Sequence, residues 1–177
     1  MRILVPALLA TLLSPLAPAP AAAQETIGSF AVVPNRDPIT DADRGVVGTV
    51  ALDPGDRAAL LVWKCMEDGL NVIYQWDRYF GGDEDDDVAL VWRFDSEPAW
   101  ERQWAQLLDQ EQNSAWIRMH QVTPFTGAAL AARKVAVRVT DPLDGETITD
   151  QFELDGLLPA LRQLSCAGDL LRSLGGR

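Results

Sequence analysis

The sequence has a single histidine, His120, and only two cysteines, Cys65 and Cys166, among its 177 residues. A protein zinc site takes three or four nitrogen or sulfur ligands, so the chain is poorly supplied for one. A glycine-rich phosphate loop and a dinucleotide-binding fingerprint are both absent. A Ser–His or Cys–His mechanism would have to use His120, and no nucleophile motif lies near it. We therefore expect a protein that is not an enzyme, with no catalytic residues, no metal site and no cofactor.

Basic residues are also few. The chain has 15 lysines and arginines against 26 aspartates and glutamates, a formal net charge of −11. Surfaces that bind nucleic acid or anionic membranes carry clustered positive charge. The composition therefore argues against both kinds of partner.

Residues 1–23 have the pattern of a secretory signal peptide. Arg2 supplies the positive start, residues 3–16 are apolar, and Ala21-Ala22-Ala23 forms a small-residue cleavage site. Prolines interrupt the apolar run, which is too short to span a bilayer. We expect cleavage near Ala23 and a mature protein that is periplasmic or secreted, without membrane insertion.

The two cysteines that remain after export are expected to pair with each other. Pairing is the default for two cysteines in an oxidising compartment. A bond between Cys65 and Cys166 closes a loop of about 100 residues, for which chain entropy gives a stabilisation of roughly 4–5 kcal/mol. A reactive thiol pair is disfavoured because the Cys-x-x-Cys spacing is missing. We interpret the bond as structural.

The stretch from Ala58 to Trp76 predicts a central hairpin with its turn at Asp68-Gly69, because such turns need residues that tolerate positive φ. Alternation of apolar and polar residues places Trp63 on the buried face. A two-residue turn sets Trp63 opposite Tyr74, and a four-residue loop sets it opposite Val72. Either register buries the same face, so the core assignment does not depend on the choice.

Other segments are predicted from the same periodicities. Residues 46–52 and 88–95 alternate as strands. Glu97 to Asp109 fits a helix or a strand, and we favour a strand that forms a hairpin with Trp116-Ile117. Residues 125–133 are alanine-rich and predict a short helix capped by Thr123 or Thr126.

The last third of the chain predicts a hairpin followed by a helix. Residues 135–140 and 147–154 surround Asp144-Gly145, and a two-residue turn there pairs Val137 with Phe152. Gly156 opens a helix that ends at Gly168. The buried stripe of this helix comprises Leu157, Leu161 and Leu164.

Together these elements predict a mainly β fold. We expect an antiparallel β-sandwich or curved sheet of about seven strands, with one or two short helices and the C-terminal helix packed on the sheet. The predicted organisation is a signal peptide at 1–23, an extended lead-in at 24–45 with one short edge strand near residues 30–33, a single β-rich domain at 46–168 and a tail at 169–177.

Two polar or aromatic features are candidates for function. Asp83 to Asp87 is a run of acids; consecutive carboxylates cannot all face one calcium ion, so a solvated loop is favoured over a cation site.

Of the six tryptophans, three fall on predicted core faces. The other three, Trp100, Trp104 and Trp116, form the candidate contact surface.

Several short motifs occur in a characteristic order. They are PITD (38–41), LLVWKC (60–65), VIYQW (72–76), VWRFD (91–95), Trp104, VAVRVTDP (135–142), QFELDGL (151–157) and Cys166. In this order they resemble the VasI-like (also called TagO-like) family of exported proteins associated with type VI secretion. The resemblance implies a non-catalytic periplasmic accessory role and supplies no catalytic residues.

The leading hypothesis is therefore an exported, non-catalytic accessory or interaction protein whose partner is a protein of the cell envelope. The alternative is a small periplasmic binding module that inhibits cell-wall-cleaving enzymes. A third hypothesis is a hydrolase that uses two carboxylates, because acids are plentiful and their separation is not readable from the sequence.

Overall fold

The structure is a computed structural model that describes residues 24–80, 87–107 and 113–175. The signal-peptide prediction lies outside these ranges. The strands are β1 (Glu25–Ile27), β2 (Phe30–Val33), β3 (Val46–Val50), β4 (Leu60–Met66), β5 (Gly69–Gln75), β6 (Asp87–Phe94), β7 (Gln103–Leu107), β8 (Ser114–Ile117), β9 (Lys134–Thr140) and β10 (Thr147–Glu153). The helices are α1 (Met119–Ala131), α2 (Leu157–Leu161) and α3 (Gly168–Gly175), with a 3-10 turn at Ser165–Ala167. Within the described ranges, no helix has the length and apolar character that crossing a membrane requires.

All ten strands belong to one antiparallel sheet in the order β1-β2-β3-β4-β5-β8-β7-β6-β9-β10. The sheet is open, with β1 and β10 at its two ends. A mainly β, antiparallel fold with a C-terminal helix was predicted correctly, whereas the expected counts of about seven strands and one or two short helices were both too low for the described ranges. The strands β1 and β2 account for much of the difference, because they come from the segment that was predicted as an extended lead-in with one short strand.

The sheet curls strongly on itself. Strand β10 lies five strand positions away from β5, which in a flat sheet would be roughly 24 Å. The hydroxyl of Tyr74 in β5 nevertheless donates to the Oδ2 atom of Asp150 in β10 at 2.7 Å. The amide of Leu52, just after β3, donates to the carbonyl of Gln151 at 2.8 Å. Curling closes the apolar face of the sheet around one core.

The central hairpin has the second of its two predicted registers, but the predicted turn residues were wrong. Trp63 lies opposite Val72, and the ladder continues to Met66 opposite Gly69. The turn is therefore the two residues Glu67 and Asp68, instead of Asp68-Gly69 or a four-residue loop. Gly69 has a φ of +120°, which explains why glycine follows the turn. The predicted inward face is confirmed, since its members Leu61, Trp63, Cys65, Val72, Tyr74 and Trp76 are all fully buried.

The late hairpin was predicted in the wrong register. Val137 pairs with Asp150, and Phe152 pairs with Val135, a shift of two residues. The strands are joined by a loop at residues 141–146 instead of a two-residue turn, and the Asp141 carboxylate accepts the Leu143 amide inside it at 2.8 Å. A shift of two leaves the buried face unchanged, because side chains alternate with a period of two.

Both helix predictions need correction at their ends. Helix α1 begins at Met119 rather than near residue 125. Both predicted caps, Thr123 and Thr126, lie within the helix, and Thr126 is buried. Helix α2 begins after Gly156 as predicted but ends at Leu161, and Gly168 opens α3 instead of ending α2. The predicted strand between Glu97 and Asp109 is confirmed as β7, which pairs with β8.

Cys65 and Cys166 form the predicted disulfide, across a sequence separation of 101 residues. It joins β4 to the 3-10 turn that precedes α3. Leu170 and Leu171 of α3 pack against the core, although no residue of that helix is fully buried. The bond thus anchors the C-terminal segment to the central hairpin.

Two glycines mark a close crossing between the β1–β2 turn and the start of α2. Gly28 and Gly156 both have positive φ, +58° and +85°. A Cβ atom on Gly156 would lie 2.6 Å from the carbonyl oxygen of Ile27, and one on Gly28 would lie 2.3 Å from that of Asp155. Because the opposing atoms are backbone, they cannot move aside as a flexible side chain would. Glycine is required at both positions.

We expect Gly156→Ala to destabilise the protein more than the control Gly145→Ala. Gly145 also has a positive φ, +76°, but nothing lies within 4 Å of its Cβ position. The control therefore carries only the left-handed penalty of about 1–2 kcal/mol. Gly156→Ala adds overlap worth about 1–3 kcal/mol more. Urea unfolding measures both free energies, and equal losses would contradict the crossing.

Asp43 joins the lead-in to the C-terminal segment. Its Oδ2 atom accepts the amide of Ser165 at 2.7 Å, and its Oδ1 atom accepts the amide of Gly45 at 2.7 Å. Burial alone would raise the pKa of the Asp43 carboxyl, but the amides of Ser165 and Gly45 outweigh it and lower the pKa below 3.8. The carboxylate therefore stabilises the fold in its ionised form.

Asp43→Asn should lower the free energy of unfolding at neutral pH by about 0.5–2 kcal/mol, because the amide side chain keeps only one acceptor oxygen. The folded-state pKa is depressed, so the Asp43 contribution is complete above about pH 4 and is lost as the pH falls through the folded-state value. The free energies of unfolding of the wild type and the variant should therefore become more similar as the pH falls. The control is Asp53→Asn, an exposed aspartate without a hydrogen bond in the described ranges. A difference that stays constant down to pH 2 would count against this role.

Candidate interaction surface

Two of the three candidate tryptophans lie side by side on the outer face of the sheet. Gln106 in β7 lies opposite Trp116 in β8, which makes Trp104 a diagonal neighbour of Trp116. Diagonal neighbours have Cβ atoms roughly 7–8 Å apart. The intervening Ala105 and the next residue on that face, Leu107, are buried in the core. Alternation therefore directs Trp104 and Trp116 outward.

Trp104 and Trp116 are central to an apolar area that we call the tryptophan surface, comprising Ile73, Trp104 and Trp116. The side chain of Trp104 is 54 % exposed. Ile73 of β5 lies directly opposite Trp116. Large exposed aromatic side chains are typical of protein interfaces, where they contribute much of the binding energy.

Trp100 does not join this surface. It packs against Trp92 and Phe94, with ring centroids 5.8 and 5.9 Å apart, and its amide donates to the carbonyl of Trp92 at 2.9 Å. The structure thus keeps Trp104 and Trp116 together and places Trp100 against the core.

An aromatic cluster supports the sheet beneath the surface. Phe125 of α1 contacts Trp63, Trp92 and Phe94, with ring centroids 6.1, 5.1 and 5.3 Å apart. The indole N–H of Trp63 donates to the hydroxyl of Thr126 at 3.0 Å. Helix α1 therefore lies inside the curled sheet, and its packing leaves the outer face free of helices at this point.

Polar groups border the tryptophan surface. Arg118, which follows β8, forms an ion pair with Asp87 at the start of β6, across the intervening strand β7. An apolar centre with a polar border is the usual composition of a protein–protein contact area.

The described residues also contain one buried charged network. The guanidinium of Arg57 donates to both carboxylate oxygens of Asp150, at 2.6 and 3.1 Å, and to the carbonyl of Trp76 at 2.8 Å. Tyr74 donates to the same carboxylate at 2.7 Å. Burial raises the pKa of Tyr74, and its hydrogen bond to Asp150 raises it further, so that the phenol stays protonated at neutral pH.

The role of this network is structural. Asp150 is only 3 % exposed, and all of its hydrogen bonds are to protein groups that connect β5 and the β3–β4 loop to β10. A substrate would have no access to the carboxylate. Sequence analysis missed this residue, although a signal was present: Asp150 lies between Ile148 and Phe152 on the inward face of an alternating strand.

The other predicted polar features do not assemble into a site. His120 is exposed in the first turn of α1. Residues 83–86 of the acid run lie outside the described ranges, and Asp87 is engaged by Arg118. In the described part of the chain, histidine, cysteine and acidic side chains nowhere form a group of three that would hold a metal ion.

Comparison with known proteins adds a likeness in fold. No protein-family model matches the chain, and no curated protein matches its sequence. Among solved structures, the chain is similar to invasion associated protein B from Bartonella henselae, with a TM-score of 0.52 and 15 % sequence identity, over 80 % of this chain and 94 % of that one. At this identity the likeness is one of fold alone.

The VasI-like resemblance remains a prediction from short motifs. One of these motifs, VWRFD, has a structural role in which Asp95 takes part. Asp95, the last residue of VWRFD, has a φ of +43°. Its carboxylate accepts the amides of Arg133 and Lys134, the latter at 2.9 Å, where β9 begins. The motif thus joins two neighbouring strands and has a structural purpose in this chain.

Tyr74→Phe should lower the free energy of unfolding by about 1.5–3 kcal/mol, because it removes a hydrogen bond to a buried carboxylate. The control is Tyr79→Phe, since Tyr79 is 65 % exposed and has no hydrogen bond in the described ranges. We expect that control to be close to neutral. Chemical denaturation of both variants measures the difference, and a neutral Tyr74→Phe would show that the network does not hold the curled sheet.

Proposed function

We propose that the chain is an exported, non-catalytic accessory protein of the bacterial cell envelope that acts by binding another protein. The observation that carries the proposal is the tryptophan surface. Trp104 is 54 % exposed beside Trp116 on a sheet face that the described helices leave uncovered. Exposing a large aromatic side chain to water costs free energy unless a partner covers it.

Two further observations support export. The Cys65–Cys166 disulfide is of a kind that persists in oxidising compartments and is rare in reducing ones. The N-terminal sequence has the positive, apolar and small-residue regions of a secretory signal in the expected order. The periplasm is the compartment that we propose.

A non-catalytic role is supported by the placement of the titratable groups. His120 is exposed near the start of α1, and Asp150 is enclosed by its hydrogen-bond donors. Within the described ranges, neither side chain has a hydrogen bond to a serine, threonine or cysteine. The narrower proposal, service to a type VI secretion system, is supported only by the ordered VasI-like motifs.

The proposal is tested by site-specific photo-crosslinking in cells of the source bacterium. A photoreactive phenylalanine analogue is placed at Trp104 and, as a control, at Leu143, which is 72 % exposed in the β9–β10 loop. We expect one protein to be captured from position 104 and not from position 143, with identification by mass spectrometry.

Trp104→Ser then provides the quantitative test against the captured protein. Loss of a central interface tryptophan reduces the binding free energy by about 2 kcal/mol or more. The dissociation constant should therefore be roughly 30-fold larger. Leu143→Ser should leave the dissociation constant unchanged. Equal capture at both positions, or binding that is insensitive to Trp104→Ser, would refute the tryptophan surface as the contact.

A further inference from the structure

A shallow hollow of about 370 Å³ lies on the outer face of the sheet where β6, β9 and β10 run side by side. Its lining includes Val91, Arg93, Ala136, Arg138, Thr149 and Gln151. A smaller hollow of about 260 Å³ continues along β9 and reaches Arg133 and Lys134. Neither hollow includes a residue of the tryptophan surface.

The register of the strands creates the larger hollow. Arg93 of β6 lies opposite Ala136 of β9, and Val91 lies opposite Arg138. Arg93 and Arg138 are therefore diagonal neighbours, with Cβ atoms roughly 7–8 Å apart. Ala136 between them is small, so two long cationic side chains stand over a depression with an apolar floor.

The hollow concentrates unpaired positive charge in an acidic protein. Within the described ranges neither Arg93 nor Arg138 has an ion-pair partner, and the one side-chain bond of Arg138 is to the neutral hydroxyl of Thr149 at 2.9 Å. No carboxylate is among the described residues that line the hollow. Five other arginines do pair with carboxylates, namely Arg44, Arg57, Arg78, Arg118 and Arg172.

Neighbouring acids do not neutralise these two arginines. Glu153 lies 3.7 Å from the ammonium of Lys134, which it pairs with, and Asp95 accepts the backbone amides of Arg133 and Lys134. Asp95 lines the smaller hollow, which Arg93 also borders, whereas Glu153 lines neither hollow, and neither acid lines the larger one. The larger hollow is consequently a small positive region on a chain whose formal net charge is −11.

The charge distribution identifies the class of ligand. Two guanidinium groups bind oxyanions through paired, charge-assisted hydrogen bonds. A nucleic acid or an anionic bilayer extends far beyond the hollow, and the rest of this acidic surface would repel it. A short acidic segment presents its charge locally. We propose that the hollow between Arg93 and Arg138 binds a carboxylate-bearing segment of a partner protein.

Fluorescence polarisation with a labelled hexaglutamate peptide tests this proposal at low ionic strength. We expect saturable binding that weakens with added salt and disappears below about pH 4, where the glutamates become protonated. The double variant Arg93→Gln/Arg138→Gln should bind about tenfold more weakly or worse. Ala136→Glu, which places a carboxylate in the hollow, should abolish binding independently.

The matched control is Arg162→Gln, because Arg162 is exposed at the end of α2 and lines neither hollow. It lowers the net charge by one unit, as each of the single variants Arg93→Gln and Arg138→Gln does, and it should leave the affinity nearly unchanged. Trp104→Ser should also bind normally, which separates this site from the tryptophan surface. Thermal unfolding confirms that each variant is folded.

Several outcomes would overturn the proposal. Hexaglutamate that does not bind the wild type, or that binds the double variant equally well, removes the site. If Arg162→Gln loses as much affinity for hexaglutamate as the double variant does, the effect is one of net charge and not of the hollow. Stronger binding of inorganic phosphate or of phosphatidylglycerol vesicles would assign the hollow to phosphate groups instead of carboxylates.

Discussion

A ten-stranded antiparallel sheet has one apolar face that water must not reach, and three short helices cover only part of it. The chain resolves this by curling the sheet until β10 meets the β3–β4 region, with α1 enclosed and Phe125 against Trp63 and Trp92. At the meeting point, the carboxylate of Asp150 accepts hydrogen bonds from Arg57 and Tyr74. A charge buried there is favourable only while both donors remain in place. This network therefore makes the curled arrangement specific.

Curling inward determines what the molecule presents outward. Alternation along β6, β7, β8 and β9 sends every second side chain to the convex face, where Trp104, Trp116, Arg93 and Arg138 lie. These positions are on regular strands and not on loops. Trp116 and Arg138 are paired with a neighbouring strand on both sides, and Trp104 and Arg93 on one side. An interaction surface of this kind is preorganised, and its partner pays little for ordering it.

The sequence was a good guide to faces and a poor guide to registers. Alternation has a period of two, so Trp63 and Tyr74 were correctly assigned to the core in either register of the first hairpin. The register of the late hairpin depended on a loop held by Asp141 through local hydrogen bonds, which composition does not reveal. Strand order was equally hidden, because β8 and not β6 lies beside β5. Trp104 and Trp116 were identified as surface candidates, whereas the diagonal position of Arg93 and Arg138 required the observed pairing.

The disulfide has a topological consequence. Cys65 and Cys166 enclose a covalent ring, and Arg93, Trp104, Trp116 and Arg138 all lie within it. A protease that cuts one loop of this ring opens it without separating the pieces, because each new fragment still carries one of the two joined sulfur atoms. A once-cleaved molecule would retain its full mass until a reductant reached the bond. Both outer-face sites would thus stay covalently attached to the two ends of the chain after such damage.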